Sequence, residues 1–234
     1  MSETMRLVKF LAAAGVASRR KAADLVATGA ITINGKPPLG PGDQVSPDDI
    51  VTCHGVKVVL DPSYYLLLNK PCGYTCTNFD KHAEKTIFEL ISLPNNPRLF
   101  SAGRLDKESE GMLIITNDGD YAEKLMHPSH EVLKTYLVRT NRPIVSSELE
   151  RLRGGIIDDG ERLSPRRIDE ISPGNYRFIL NEGKKREIRR LVRAGGVRTE
   201  KLQRVQIGQL KLGSLALGKW RNLTPAEIEL SLKN

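Results

Sequence analysis

The sequence has no unbroken apolar run of about 18 residues, the length a helix needs to span a bilayer, so no membrane span is expected. Lys9 interrupts the short apolar patch near the N-terminus and a basic cluster follows it, which excludes a secretory signal and favours a cytoplasmic protein. Cysteine is scarce: Cys53, Cys72 and Cys76 are an odd set of three that supplies no disulfide framework. Cys72-x-x-x-Cys76 with His82 nearby lacks a second ligand pair at finger-like spacing, so no metal is expected. Aromatic residues make up 5%, thin for a sugar-stacking cleft, which disfavours Asp106 with Glu108 or Glu110 as a glycosidase pair. No GxxxxGK[ST] loop for nucleotide phosphates occurs, and neither do repeats or low-complexity tracts.

What is present is charge. Lys and Arg number 36 against 28 Asp and Glu, a net +8 that favours an anionic partner, nucleic acid first and a membrane surface second. Apolar residues, at 39%, are spread along all 234 positions, enough for a packed core in one large domain or two smaller ones.

Residues 5–29 carry two helical patterns: Gly15 ends the first, Ser18 caps the second, and Gly29 stops it. Ala30–Ile33 alternates as a strand and Asn34-Gly35 turns it, with short strand pieces at Val45 and at Ile50-Val51. The first 60 or so residues thus form a helix–helix–strand unit with Arg19, Arg20 and Lys21 at the mouth of its second helix. Asp61-Pro62 breaks the chain, and residues 63–234 mix strands and helices without strict alternation, an α+β domain. Strands are expected at 64–68, 112–116, 134–138, 168–172, 176–181, 202–207 and 215–217. Ile87–Ile91 reads as a short helix. Asp120 with Glu123, and Ser147 with Glu150, read as capping boxes, and Thr224-Pro225-Ala226-Glu227 opens the last helix.

The stretch 101–119, SAGRLDKESEGMLIITNDG, organises the rest. Gly103 opens a turn, Leu105 is an apolar anchor between Arg104 and Asp106, and Met112–Thr116 is a short buried strand. Asn117-Asp118-Gly119 signals a hairpin or turn, which fits Asp118 and Asp120 better than a magnesium site does. A charged loop on a rigid strand is a common way to build a site, although the same string also suits a solvated charge cluster. Downstream, EGKKREIRRLVR places Ile188, Leu191 and Val192 on one helical face and Arg186, Arg190 and Arg193 on the opposite one. Arg189 lies on the boundary, placed to turn inward toward a carboxylate. The four histidines, 54, 82, 127 and 130, show no pairing with a nucleophile, and Tyr136 by itself reads as a core strand residue.

These stretches carry a resemblance. GVASRRKAADLVATGAITINGK resembles the S4-type RNA-binding module over about residues 5–55. NKPCG (69–73), GRLDKESEGMLIITNDG (103–119) and EGKKREIRRL (182–191) resemble, in order, three motifs of RsuA-type ribosomal RNA pseudouridine synthases, the large-subunit members most of all. The resemblance implies an S4-like α/β domain at 1–60, followed by a mixed, mainly antiparallel-sheet catalytic domain with flanking helices at 63–234. It implies a cofactor-free isomerisation of uridine to pseudouridine in rRNA, 23S by this likeness, free or within a pre-ribosomal particle, by a monomer. By the same carry-over Asp106 is the nucleophile, Arg189 its partner, and Tyr136 the residue that stacks on the flipped base and can move the carbon-5 proton. Arg104 fills the gap in the RNA, Ile188 packs on the uracil's other face, and Lys70, Arg186 and Arg190 bind substrate. Arg19, Arg20 and Lys21 grip phosphate. Ser109 and Met112 depart from the Thr and Leu usual in that family, conserving hydroxyl and bulk. A non-catalytic RNA-binding assembly factor is the alternative, but an acid among RNA-facing arginines serves no purpose in a pure binder.

Overall fold

The computed structural model describes residues 4–77 and 85–234, and His82 lies outside them. In chain order the elements are β1 (Met5–Arg6), α1 (Leu7–Ala13), α2 (Arg19–Ala27), β2 (Ile31–Ile33), β3 (Gln44–Val45), β4 (Val51–Cys53) and β5 (Val56–Lys57). There follow β6 (Tyr65–Lys70), β7 (Phe100–Ala102), β8 (Glu110–Thr116), α3 (Gly119–Met126), β9 (Lys134–Thr140), α4 (Ser146–Arg153), β10 (Ile156–Asp158) and β11 (Glu161–Leu163). The chain ends with β12 (Arg167–Ser172), β13 (Asn175–Leu180), α5 (Glu187–Ala194), β14 (Thr199–Ile207), β15 (Leu210–Lys211), β16 (Trp220–Asn222) and α6 (Pro225–Leu232). The chain divides into two units, one of residues 1–63 with 93–98 and 117–119, the other of the remainder.

In the first unit α1 and α2 bury Leu7, Leu11, Ala22 and Val26 against Ile31, Val45 and Val51 of the short strands. Ser18 caps α2, its hydroxyl accepting from the Lys21 amide at 3.3 Å. The Asn34-Gly35 turn has both residues at positive φ (52° and 77°), the geometry of a tight hairpin turn. Asn34 also reaches the segment that leads into β4, donating to Asp49 and accepting from the Ile50 amide.

The second unit is built on one sheet in the order β12-β13-β9-β14-β8-β6-β16, with β15 added to β14 and β7 to β8. All its pairings are antiparallel except β14 on β8, a parallel ladder confined to Gln203↔Glu110 and Arg204↔Gly111. That seam joins two cores. One packs α4 and α5 on the β9–β13 side through Leu149, Leu152, Ile188, Leu191, Val192, Tyr176 and Phe178. The other packs α3 on β6–β8 through Tyr121, Ala122, Leu125, Leu67, Met112 and Ile114, with α6 residues Ile228 and Leu232 against it.

Some local expectations need correction. Asp120 does not cap α3, because the helix already begins at Gly119 and Asp120 lies within its first turn. Asn117-Asp118-Gly119 therefore leads from strand to helix and closes no hairpin. No Ser147–Glu150 box opens α4: Val145 precedes it without a side-chain cap, and Ile144, buried, gives its amide proton to the Tyr176 hydroxyl at 2.7 Å. Tertiary packing fixes that helix start. Residues 87–90 form a 3₁₀ turn, in which Glu89 accepts from the Thr86 amide and hydroxyl. Residues 215–217 form a loop, and the edge pairing with Leu66–Leu68 is taken by Trp220–Asn222. The Thr224–Glu227 box is present as expected, with Pro225 in the first turn.

Candidate active site

Leaving β7, the chain turns at Gly103 (φ 80°) and crosses from one core to the other, Ala102 packing in the α3 cluster and Leu105 in the α5 cluster. Arg104 and Asp106 flank the buried Leu105 and so point away from the core: Arg104 is exposed and the Asp106 side chain is 32% exposed. Cys76 pins Leu105 from both sides, its sulfur accepting from the Leu105 amide and its thiol donating to the Leu105 carbonyl.

Beneath this loop lies Lys70, the last residue of β6, with no exposed surface. Its ammonium donates to the carbonyl oxygens of Pro71, Asp106, Lys107 and Ser109, at 3.0, 3.2, 3.4 and 2.6 Å. Burial pushes its pKa below the usual lysine range, opposed by nearby negative groups such as Asp106. Lys70 is therefore no substrate ligand, contrary to expectation; it is the internal tie that shapes the Asp106 loop. The amide of Gly73 adds a bond to the Lys107 carbonyl.

Helix α5 supplies the other wall. Arg186, at its start, is in the left-handed conformation (φ 53°), which carries its side chain to Glu108 at 3.0 Å and within 3.9 Å of Asp106. The Arg186 contact depresses the Glu108 carboxyl. Arg189, 15% exposed, sets Nε 3.7 Å from Asp106 Oδ2, while its Nη2 donates to the Glu108 carbonyl and the Ser109 hydroxyl. Both arginines face Asp106 beyond hydrogen-bond distance, and Arg189 Nε is buried with no hydrogen-bond partner. The carboxylate is thus flanked by positive charge while its lone pairs stay available. Leu105, its neighbour in the chain, belongs to the buried cluster that also holds Tyr136 and Ile188.

Arg190 departs from expectation. Its guanidinium is bound to Asp158 and Glu161, 14% exposed, and raised in pKa by those bonds; it clamps the β10–β11 hairpin to α5. Ser109, Cys76 and Arg204 were not legible as members of the site, although Arg204 alternates in phase with the buried Leu202, a signal in the strand pattern. Among the described residues no group of three or more His, Cys, Asp and Glu is placed to hold a metal ion, and no helix is long and apolar enough to cross a membrane. In the first unit Arg19, Arg20 and Lys21 are exposed on the first turn of α2.

The profile of RNA pseudouridylate synthase matches residues 64–194, and that of the S4 domain residues 5–51. The chain belongs to the RNA pseudouridylate synthase family. It is 40% identical to an uncharacterized RNA pseudouridine synthase of Mycobacterium leprae, the match covering 96% of this chain and 91% of that one. It is 34% identical to the ribosomal large subunit pseudouridine synthase B of Bacillus subtilis, covering 96% and 94% of the two chains. A crystal structure of a pseudouridylate synthase superposes with a TM-score of 0.71 at 30% identity, over 97% of this chain and 99% of that one. A pseudouridine synthase with an N-terminal S4 domain acts on RNA and isomerises uridine.

Proposed function

We propose that this synthase modifies a uridine of large-subunit ribosomal RNA, with Asp106 as nucleophile and Arg189 as its partner. The observation that carries the reading is the Asp106 carboxylate, 3.7 Å from Arg189 Nε with no hydrogen bond between them, next in the chain to Leu105 of the buried cluster that also holds Tyr136 and Ile188. The target base leaves the helical stack at a cost of a few kcal/mol, offset by the exposed Arg104 entering the gap. The uracil then lies between Tyr136 and Ile188. The N1–C1′ bond breaks with its electron pair leaving on the uracil, while Asp106 engages the electron-poor centre. The base turns, carbon 5 bonds to C1′, the carbon-5 proton departs by way of Tyr136, and N1 gains a proton. Composition is unchanged, as an isomerisation requires.

Residues 1–60 act in this reading as the phosphate-gripping RNA-binding domain and 63–234 as the catalytic domain. The protein works as a cytoplasmic monomer, on free rRNA or on a pre-ribosomal particle. Support for the large-subunit target comes from the Bacillus subtilis relative. The test is incubation of unmodified rRNA transcripts with the purified protein, followed by carbodiimide mapping. Large-subunit RNA should gain pseudouridine and small-subunit RNA should not, and Asp106→Asn should abolish the signal while RNA affinity holds. Undiminished modification by Asp106→Asn would remove the mechanism.

A further inference from the structure

On the floor beside Tyr136 lie two cations that have no counter-ion among the described residues. Arg204, on β14, is 4% exposed, and its guanidinium sits over the Tyr136 ring, 6.0 Å from the centroid. Its Nε donates to the Met112 carbonyl at 2.7 Å, just beyond the short parallel ladder of β14 on β8. Its Nη2 is buried with no partner. Lys134 enters the same floor two residues before Tyr136 on β9, and burial followed by the charge of Arg204 brings its pKa down to about 8. Among the described residues neither cation is paired with a carboxylate. A guanidinium left unpaired in a protein interior is costly, and filling the space between two diverging strands calls for no charge.

We propose that Arg204 is a positioning residue which, through the Tyr136 ring and together with Lys134, favours the negatively charged, detached uracil over the neutral base of the bound substrate. This rests on the reading that puts the uracil against Tyr136. A cation over one face of an aromatic ring draws electron density toward itself, so the opposite face repels an anionic base less. The charge on the uracil exists only after N1–C1′ cleavage. Arg204 therefore acts on kcat and leaves substrate binding unchanged. A backbone phosphate of the flipped nucleotide could also meet this charge, but it is charged in the ground state and would register in KM.

The experiment compares Arg204→Met, Arg204→Lys, Lys134→Met and Asp106→Asn on one rRNA transcript. Arg204→Met should lower kcat by roughly 10-fold or more with KM within about two-fold, and Arg204→Lys should restore most of the rate. Lys134→Met should show the same split more weakly, and it carries the test if Arg204→Met fails to fold. An unchanged kcat in the folded Met variants would overturn the inference. So would a loss confined to KM with a flatter salt dependence, which would assign the anion to phosphate. If Asp106→Asn retains activity, the underlying site reading fails; if only Asp106→Asn is inactive, the inference about Arg204 fails alone.

Discussion

Lys70 Nζ donates to the Ser109 carbonyl oxygen at 2.6 Å, joining the end of β6 to the far end of the Asp106 loop across 39 residues. One ammonium therefore spans both ends of the loop, since the Asp106 carbonyl is also bound to it. Lys70→Met would leave these buried acceptors without a donor and free the loop to relax. We expect kcat to fall roughly 100-fold, the scale of a misplaced catalytic group, with RNA affinity nearly unchanged. Single-turnover rates and filter binding on the same transcript check this. Weakened binding at full turnover would return Lys70 to the substrate surface.

At Gly111 β14 approaches β8 closely. A Cβ there would lie 2.3 Å from the Arg204 carbonyl oxygen, and the backbone sits at φ 105°. Gly111→Ala adds backbone strain and pushes apart the strands that carry the Asp106 loop and Arg204. The expected cost is at least about 2 kcal/mol, read from urea unfolding. An unchanged midpoint would mean that the seam can yield.

Ser18, Asn34-Gly35 and Thr224–Glu227 were legible because caps and tight turns depend on neighbours within a few residues. The inward face of α5 followed from its period, and the loop's importance from Arg104 and Asp106 flanking an apolar residue. The place of Lys70 is not legible in the sequence for a physical reason: only the pairing of β6 with β8 brings four carbonyls around it. Leu215–Leu217 has strand composition, but positive-φ turns at Gly213 and Gly218 bracket it, and register gives the edge to Trp220–Asn222. Arg190 and Arg189 are adjacent and chemically alike. Only the position of the β10–β11 hairpin decides which one is neutralised by Asp158 and Glu161.

Glu187, 3% exposed at the start of α5, accepts from the Lys184 amide through Oε2 while Oε1 is buried without a partner. Burial raises its pKa above the ordinary value, against the lowering effect of that amide. The native state thus holds the proton to higher pH than the unfolded chain, and stability falls as pH rises from the ordinary glutamate pKa through the raised one. Glu187→Gln keeps the acceptor and removes the buried charge. Above that window the variant should be more stable by roughly 1 kcal/mol, and below it the two should converge. Urea unfolding at about pH 4 and about pH 8 brackets the transition. A variant less stable at both would show that the carboxylate has a partner it needs.

Arg20 and Lys21 stand, exposed, on the first turn of α2, where no acidic residue offsets them. Cations at this end oppose the helix dipole, so each costs stability on the order of 0.3–1 kcal/mol at low salt. The double substitution Arg20→Gln, Lys21→Gln should therefore leave the protein as stable as before or slightly more so. If these side chains neutralise phosphates, the same change should flatten the dependence of log K on log salt by about 0.7–0.9 for each phosphate no longer neutralised. Binding that weakens while stability holds or rises is a signature that packing residues do not give, because removing them lowers both. Filter binding from low to moderate salt, alongside urea unfolding, measures the two effects. Identical salt slopes for variant and wild type would take the α2 face out of the RNA interface, whatever the rest of the S4 domain does.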